Sequence, residues 1–577
     1  AELLSWLDER FAINDVEMTE VATVASVARI ASGHISKRQI SDTFIVPQQW
    51  FENLTRRPVP SVTEAVSIQE AFLKVAERMG DFVAVADERS GVLSWKRTKL
   101  AVLLLANEFR KVPQTHIGVL LPASVGASLV IMAVLFSGKI PVMLNWTAGR
   151  RNVEHAIKTC KLAQIISSEA FLDLIDIDLE YIEDKLLLVE KVKANIGLFS
   201  KLKALSLASK KTQKILSRLN LDKVKQEDHA VVLFTSGSEA DPKGVPLSHR
   251  NILSNVDGGF SHFHFDVKDV MYGFLPPFHS FGLTVCCFLP LTTGLRVVYH
   301  PNPNESRKLA AGCEKWGITI MAGTPTFLRG ILRAGEKEQF KSLRILVAGA
   351  EKAPDSLFEL VTSMTNDAQL VEGYGITECS PVVCGNRPYQ PHAGIGYPLK
   401  NVEMMIVHHE TFEPLPEGER GLILIRGDNV FSGYLGNVKS PFVEVNGKQW
   451  YNSGDLGFVK KGAFHIAGRL KRFVKIGGEM LSLTAVEEAL SNEWPGTIEE
   501  GPVLAVTSLE KEDGSRPELY LFAKKEIELE KANAVLVKAG FPNLVKISRV
   551  HLLNEIPLLG SGKTDIQALN RLVKEAG

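Results

Sequence analysis

Between Ile117 and Gly138 the chain runs 22 residues without a charged side chain. A run of that length and polarity must leave water, either into a bilayer or into a protein interior. Pro122, Ser124, Gly126 and Ser128 interrupt its first half. A proline and small hydroxyl residues suit a turn better than a membrane span. The run is therefore expected to form a strand (Ile117–Leu121), a turn and a buried helix. A helix that is apolar all round needs covering layers on every side. The chain has 577 residues, more than one hydrophobic core holds, so several domains are expected.

The rest of the chain supplies those layers. From about 61 to 455, short apolar strands alternate with helical stretches. Phe82–Ala86, Val231–Phe234, Ile318–Ala322 and Arg344–Val347 read as strands that run into loops, and Lys99–Lys111 reads as a helix. Alternation of this kind implies an α/β fold with largely parallel sheets. Residues 420–467 differ: "GLILIRG" and "GFVKKGAFHIAG" are short strands with turns. Residues 472–577 read as a smaller α+β unit. The expected fold class is thus α/β: a large domain with parallel-rich sheets flanked by helices, a small β-rich subdomain, then a small mobile α+β domain. The expected boundaries are a helical segment at 1–34, a linker at 35–60, the large domain at 61–470 and the small one at 471–577.

Formal net charge is zero, which argues against a nucleic-acid binder that works by bulk charge. Six cysteines (Cys160, Cys286, Cys287, Cys313, Cys379, Cys384) show no CxxC spacing, so a disulfide framework and a zinc site are not expected. That pattern suits a reducing, cytoplasmic setting. The chain begins at Ala1 rather than Met, as a processed or internal start would, and nothing there reads as a signal peptide. One stretch is unusual in charge. Residues 191–221 hold Lys191, Lys193, Lys201, Lys203, Lys210, Lys211, Lys214 and Arg218 with no acidic residue, interspersed with Leu198, Phe199, Leu202 and Leu205. It is either a solvated helical surface or a basic amphipathic patch, and the latter would suit the inner face of an anionic membrane or an acidic protein.

The chemistry centres on "LFTSGSEADPKGVPLSH", Leu233 to His249. An apolar strand enters a loop of hydroxyls and glycines that ends in Lys243-Gly244. Small residues let backbone N–H groups approach a polyphosphate, hydroxyls donate, and Lys243 adds charge. The order Lys243-Gly244-Val245 is not that of a Walker A loop, which needs Gly-Lys-Ser/Thr.

This loop resembles the phosphate loop of the adenylate-forming superfamily, which includes acyl-CoA synthetases, luciferases and peptide-synthetase adenylation domains. The other motifs of that superfamily follow in order, so the likeness covers roughly residues 61–577. The resemblance implies ATP and Mg²⁺ as cofactors. It assigns Thr235, Ser236, Gly237, Ser238 and Lys243 to the phosphates, and Gly349, Ala350 and Glu351 ("GAE") to the lining of adenine and the acyl pocket. In "EGYGITE" it takes Glu372, Gly373, Tyr374 and Gly375 as nucleotide contacts. Tyr374 would stack on adenine, Thr377 would meet the α-phosphate and Glu378 would hold Mg²⁺. Asp455 and Arg469 would bind ribose, Lys471 would be the hinge, and Lys563 in "IPLLGSGKTD" would bridge the attacking carboxylate and the α-phosphate. Arg472 stands where many relatives carry Asp. The implied reaction has two halves, adenylation and then thiol capture after the small domain turns about Lys471.

The stretch "LPPFHSFGLTVCCFLPL", Leu275 to Leu291, is expected to line the acyl pocket, with His279 beside the substrate carboxylate. Relatives that activate amino acids carry an Asp in this region. Here none occurs from Val270 to Leu291, and Asp269 is the nearest. An apolar pocket without a counter-ion favours a fatty acid. The wording of the motifs, with Glu239 in the loop, most resembles bacterial acyl-[acyl-carrier-protein] synthetases. These include the ligase part of 2-acylglycerophosphoethanolamine acyltransferases. That likeness makes acyl carrier protein the expected acceptor, with CoA as the alternative. The His-x4-Asp motif of the acyltransferase part is absent at His34 and His116, so only the ligase function is implied. "ELLSWLDERFAI…TVASVARIA" in turn looks like the second half of an acyl carrier domain.

Overall fold

The computed structural model describes residues 44–52, 54–175, 179–235, 242–476, 479–495, 502–509, 517–541, 545–558 and 564–576. The carrier-like segment at 1–34 lies outside them. β1 (Val83–Asp87) and β2 (Gly91–Ser94) form the edge of a first sheet. The chain then leaves to build a second sheet from β3 (His116–Val119), β4 (Ile140–Met143), β5 (Ile165–Ser167), β6 (Leu186–Leu188), β7 (His229–Phe234) and β8 (Gly244–Ser248). It returns to complete the first with β9 (Val270–Gly273), β10 (Arg296–Tyr299), β11 (Ile320–Gly323), β12 (Ile345–Ala348), β13 (Gln369–Gly375), β14 (Val382–Gly385) and β15 (Tyr397–Pro398). The strand orders are β15-β14-β13-β12-β11-β9-β10-β1-β2 and β6-β5-β3-β4-β7-β8. The interior of both sheets is parallel, and antiparallel strands occur only towards the ends. Near-continuous apolar strands such as "AVVLF" are what parallel sheets buried on both faces require. Pro246 sits in β8, an edge strand, where its missing N–H costs no ladder bond.

Three helices, α1 (Ile68–Met79), α2 (Trp95–Phe109) and α3 (Val125–Phe136), pack on one another, with α2 and α3 also against β1. α3 is the helical part of the uncharged run. All its residues except Gly126 are buried. Each buried Leu, Ile, Val or Phe contributes about 1.5–3 kcal/mol relative to exposure. The two serines that broke the run have local work. Ser124 caps α3 by accepting the Ala127 N–H at 3.0 Å, and Ser128 Oγ donates to the Val125 carbonyl at 2.8 Å. Among the described residues no helix is long and apolar enough to cross a membrane.

Two further helices, α4 (Leu198–Ala208) and α5 (Thr212–Arg218), lie over α2 and α1 respectively. α6 (His249–His262) follows β8 directly. The β-rich subdomain comprises β16 (Val402–Val407), β17 (Gly421–Gly427), β18 (Phe442–Val445), β19 (Lys448–Lys460) and β20 (Ala463–Arg469), all antiparallel. The C-terminal unit holds β21 (Phe473–Ile476), β22 (Glu479–Ser482), β23 (Leu504–Leu509), β24 (Glu518–Ala523) and β25 (Ile547–Leu552) with three helices. Its cores close among residues from Val474 onward.

Residues 44–52 and 54–60, part of the stretch expected as linker because of its prolines and mixed polarity, contact the large domain. Trp50 is fully buried, its indole N–H donating to the Trp316 carbonyl at 3.0 Å. Arg57 is also buried, donating to the Val83 and Gly294 carbonyls at 2.8 and 2.9 Å. Two anchors of high sequence separation hold the segment, and no local pattern encodes them.

Candidate active site

The first component is the β7–β8 turn. Its mouth is closed by the Thr235 N–H on the Lys243 carbonyl at 3.1 Å and the Lys243 N–H on Thr235 Oγ1 at 3.2 Å. Ser236, Gly237 and Ser238 lie outside the described residues. The Lys243 ammonium rests 4.7 Å from the centroid of the Tyr434 ring. Next to it, the Gly244 carbonyl accepts the Leu435 N–H at 2.9 Å. A Cβ on Gly244 would come 3.1 Å from Leu435 Cδ1, so glycine permits that approach.

The second component is the β13–β14 turn, held by buried amides. Asn255 of α6 donates to the Cys379 and Val382 carbonyls at 3.2 and 2.6 Å and accepts the Val382 N–H at 3.3 Å. Asn429 donates to the same two carbonyls at 3.0 and 3.2 Å. The Phe431 N–H reaches the Glu378 carbonyl at 2.9 Å, and Asn251 of α6 ties down the Asp428 and Val430 carbonyls, both at 2.8 Å. Gly375 is required by space: a Cβ there would fall 2.4 Å from the Pro381 carbonyl oxygen.

This frame fixes the Glu378 carboxylate in a buried position, where Tyr434 Oη donates to it at 2.6 Å. Burial, and then the nearby Glu378, push the Tyr434 hydroxyl pKa up. It therefore stays protonated and able to donate. Among the described residues Glu378 makes no ion pair, and no group of three or more His, Cys, Asp or Glu could hold a metal. A lone buried carboxylate fits Mg²⁺, which is usually held by one or two carboxylates with substrate phosphates and water completing its shell.

The third component joins the two folding units. Asp455 of β19 and Arg469 of β20 are direct partners in the antiparallel register. Asp455 is 3% exposed and accepts Arg469 Nε at 3.1 Å and the Tyr374 hydroxyl. The carboxylate, ahead of other causes, raises the Arg469 pKa. Lys471 lies in the 3₁₀ turn Leu470–Arg472 directly after β20, and its side chain is outside the described residues. Arg472 pairs with Glu487 at 2.7 Å and donates to the Val506 carbonyl at 2.9 Å, which ties this turn to the C-terminal unit. Lys563 lies outside the described residues.

The remaining assigned residues follow β12 or lie in β13. Gly349 and Ala350 follow β12. Ala350 holds φ at 69°, a conformation uncommon for a residue with a Cβ. Glu351 accepts Thr326 Oγ1 at 3.2 Å. Glu372 is buried, accepts the Ala353 N–H at 3.2 Å and sits 2.9 Å from His392 Nε2. A Cβ on Gly373 would stand 3.3 Å from the Cys384 carbonyl oxygen.

The expected acyl-pocket stretch lies beside Thr377 and Gly349. Ser280 Oγ donates to Thr377 Oγ1 at 3.3 Å, and a Cβ on Gly349 would lie 3.3 Å from the Phe281 ring. His279 is half-buried, with its ring 4.6 Å from that of Phe278. Cys286 and Cys287 are buried in the π-helix Gly282–Phe288, and burial pushes both thiols up to about 12. Asp269 is committed elsewhere: it is buried, with Arg344 on it at 2.6 and 3.2 Å and Thr319 at 2.9 Å.

Sequence reading missed Tyr434, His392, Asn255, Asn429 and Trp146. Trp146 packs edge-on between Phe171 and Phe278, at 4.8 and 4.4 Å. None of the five sits in a motif with its own chemistry. Tyr434 reaches Glu378 across 56 positions of sequence, so only tertiary structure pairs them.

With this geometry in view, the comparisons with known proteins are specific. The profile described as AMP-binding enzyme matches residues 72–435. A long-chain-fatty-acid–CoA ligase of Bacillus subtilis (strain 168) is 28% identical over 421 residues, 68% of this chain and 74% of its own length. 4-Coumarate–CoA ligase 1 of Petroselinum crispum is 28% identical over 360 residues, 59% of this chain and 64% of its own length, so less than two thirds of that relative is matched. Among solved structures, ATP-bound MatB of Rhodopseudomonas palustris aligns with a TM-score of 0.69 at 20% identity, covering 88% of this chain and 99% of that one. The o-succinylbenzoate CoA synthetase MenE of Bacillus subtilis, in complex with an acyl-adenylate, gives 0.71 at 19% identity, with 88% and 98% covered. At such identities the structural likeness is one of fold. The family profile spans more than half of the chain and takes in both turns that build the site, and the chain belongs to the AMP-binding enzyme family of adenylate-forming enzymes.

Proposed function

We propose that the protein uses ATP to activate a fatty acid as an acyl-adenylate and passes the acyl group to the phosphopantetheine thiol of acyl carrier protein. The observation that carries the adenylation half is the pairing of Lys243 and Glu378 on Tyr434 beside the Tyr374–Asp455–Arg469 cluster, with Glu378 near enough to Arg469 to help raise its pKa. Lys243, Thr235 and the loop residues Ser236, Gly237 and Ser238 would bind phosphates. Asp455 and Arg469 would hold the ribose hydroxyls, a carboxylate accepting from both. Glu378 would hold Mg²⁺, which when bound neutralises phosphate charge. His279 and Thr377 would orient the substrate carboxylate and the α-phosphate. Lys563 would bring these two anions together, an effect on the order of 3 kcal/mol. The small domain, 471–577, would turn about Lys471 to let the thiol in.

Support for a fatty acid comes from the apolar stretch Leu275–Leu291 and from Asp269, whose carboxylate is taken by Arg344 and is not offered to a substrate amine. The carrier acceptor rests on motif likeness. CoA is the second reading, favoured by the likeness to the Bacillus subtilis long-chain-fatty-acid–CoA ligase. A third arrangement, the ligase component of a lysophospholipid acyltransferase system, keeps the same first half-reaction.

One assay separates these readings. Purified protein receives ATP, Mg²⁺ and a chain-length series of fatty acids, with holo-carrier protein and CoA offered separately. Acyl-carrier thioester is expected, and thioester on CoA alone would overturn the acceptor. Lys563→Ala should lose adenylate formation yet still transfer from supplied acyl-adenylate. Unchanged adenylate formation in that variant would remove Lys563 from its role.

A further inference from the structure

Helix α4 inverts the usual arrangement of a surface helix. Its buried side consists of Ala204 with the partly buried Leu207 and Ala208, packed against α2 and the large-domain core. Its largest apolar side chains point the other way. Leu198 is 73% exposed, Phe199 81%, Leu202 57% and Leu205 51%. At about 100° per residue these four form one stripe centred opposite the buried face. Lys201 and Lys203 fall on either side of that stripe and are exposed. The stripe is therefore an apolar ridge with a cation along each flank.

The surroundings extend the same charge. Lys191 and Lys193 precede the ridge, and Lys211, Lys214 and Arg218 follow it on or beside α5. All five are exposed. None of these cations pairs with an acidic group among the described residues. α5 is meanwhile fastened to the body: Thr212 donates to Glu77 at 2.8 Å and Gln213 to Glu70 at 3.4 Å. The ridge thus stands on a fixed base.

We propose that α4 docks the protein on a lipid bilayer bearing anionic headgroups. Phe199 and the three leucines would enter the headgroup–acyl boundary, and the lysines would meet the lipid phosphates. Charge complementarity selects an anionic partner. The convex apolar ridge selects a bilayer over an acidic protein, because it offers no groove and few hydrogen-bonding groups for a partner to read.

The test needs neither ATP nor an acid substrate, so its failure is distinguishable from failure of the catalytic reading. The full chain is sedimented with phosphatidylcholine vesicles, with and without phosphatidylglycerol. Binding to the anionic vesicles is expected, weakening as salt rises. The double substitution Phe199→Ser, Leu202→Ser should reduce that partitioning about tenfold or more. Lys201→Gln with Lys203→Gln should reduce both partitioning and its salt dependence, while the thermal midpoint of either variant stays within about a degree or two of the parent. Parent protein left in the supernatant with both vesicle types would overturn the proposal. So would variants that bind as the parent does, or capture by acidic holo-carrier protein through these residues without vesicle binding.

Discussion

The two main sheets each end their parallel run in the same way: a strand enters a polar turn and the chain comes back antiparallel. In one sheet this is β7–β8, in the other β13–β14. Among the described residues the bonds that hold the two turns differ. Around β13–β14, Asn255 and Asn429 both grip the Cys379 and Val382 carbonyls, and the Phe431 N–H grips Glu378. Around β7–β8 the described support is two bonds between Thr235 and Lys243, plus the backbone bond from Leu435 to Gly244. The first turn places one carboxylate in a fixed buried position, which suits a metal ligand. The second carries Thr235 and Lys243 at its mouth, a hydroxyl and a cation of the kind that suits a polyphosphate.

α6 links the two turns. It starts at the end of β8, and its Asn255 and His262 reach the Cys379, Val382 and Gly385 carbonyls. Breaking α6 should therefore give the largest effect. Its first residue, His249, is 2% exposed and accepts the Ile68 N–H on Nδ1 at 3.3 Å. Burial lowers its pKa from 6.5 to about 4. The unfolded chain then binds a proton that the folded protein refuses. Stability is therefore full above about pH 6.5 and falls as pH drops towards 4, by about 3 kcal/mol for this shift. Urea unfolding of the parent and of His249→Asn at pH 7 and pH 4.5 checks this, since the variant should show the shallower pH dependence. Equal slopes would detach His249 from the effect.

Asn255→Ala should come next. It removes two donors and leaves the partly buried Val382 N–H without its acceptor, a loss of about 2 kcal/mol in unfolding free energy together with reduced activity. Thr235→Val should cost least in stability, about 0.5–1 kcal/mol, because it deletes one hydrogen bond at a partly exposed turn. Its activity should fall by more than its stability does. Denaturation curves and initial rates on both variants sharpen the contrast. Similar stability losses in the two would contradict it.

Much of this fold was legible because its causes are local. The run Ile117–Gly138 resolves into β3, a turn and α3, as its proline and serines implied. The short apolar strands before loops became β7, β11 and β12 within a residue or two at each end. Glu378, Asp455, Tyr374 and Lys243 stand in motifs; in the structure Tyr434 meets both Glu378 and Lys243, and Tyr374 donates to Asp455. What stayed hidden depends on distance in sequence. Trp50 and Arg57 hold part of the expected linker through contacts more than 200 residues away, at Trp316 and Gly294. Tyr434 and Asn429 belong to a loop before β18 whose sequence shows no more than a turn. They acquire meaning when β13–β14 folds against them. The ridge on α4 is a middle case: its composition was visible, and the direction in which its leucines point was not.

The central claim is that this constellation forms acyl-adenylate. Exchange of labelled pyrophosphate into ATP, measured with a chain-length series of fatty acids and Mg²⁺, tests it most directly when the parent is set beside Glu378→Gln. The account predicts exchange that requires the fatty acid, and a drop of about 10²–10³ in the variant at unchanged unfolding midpoint. Full exchange in Glu378→Gln, or none in the parent with any fatty acid, would contradict it.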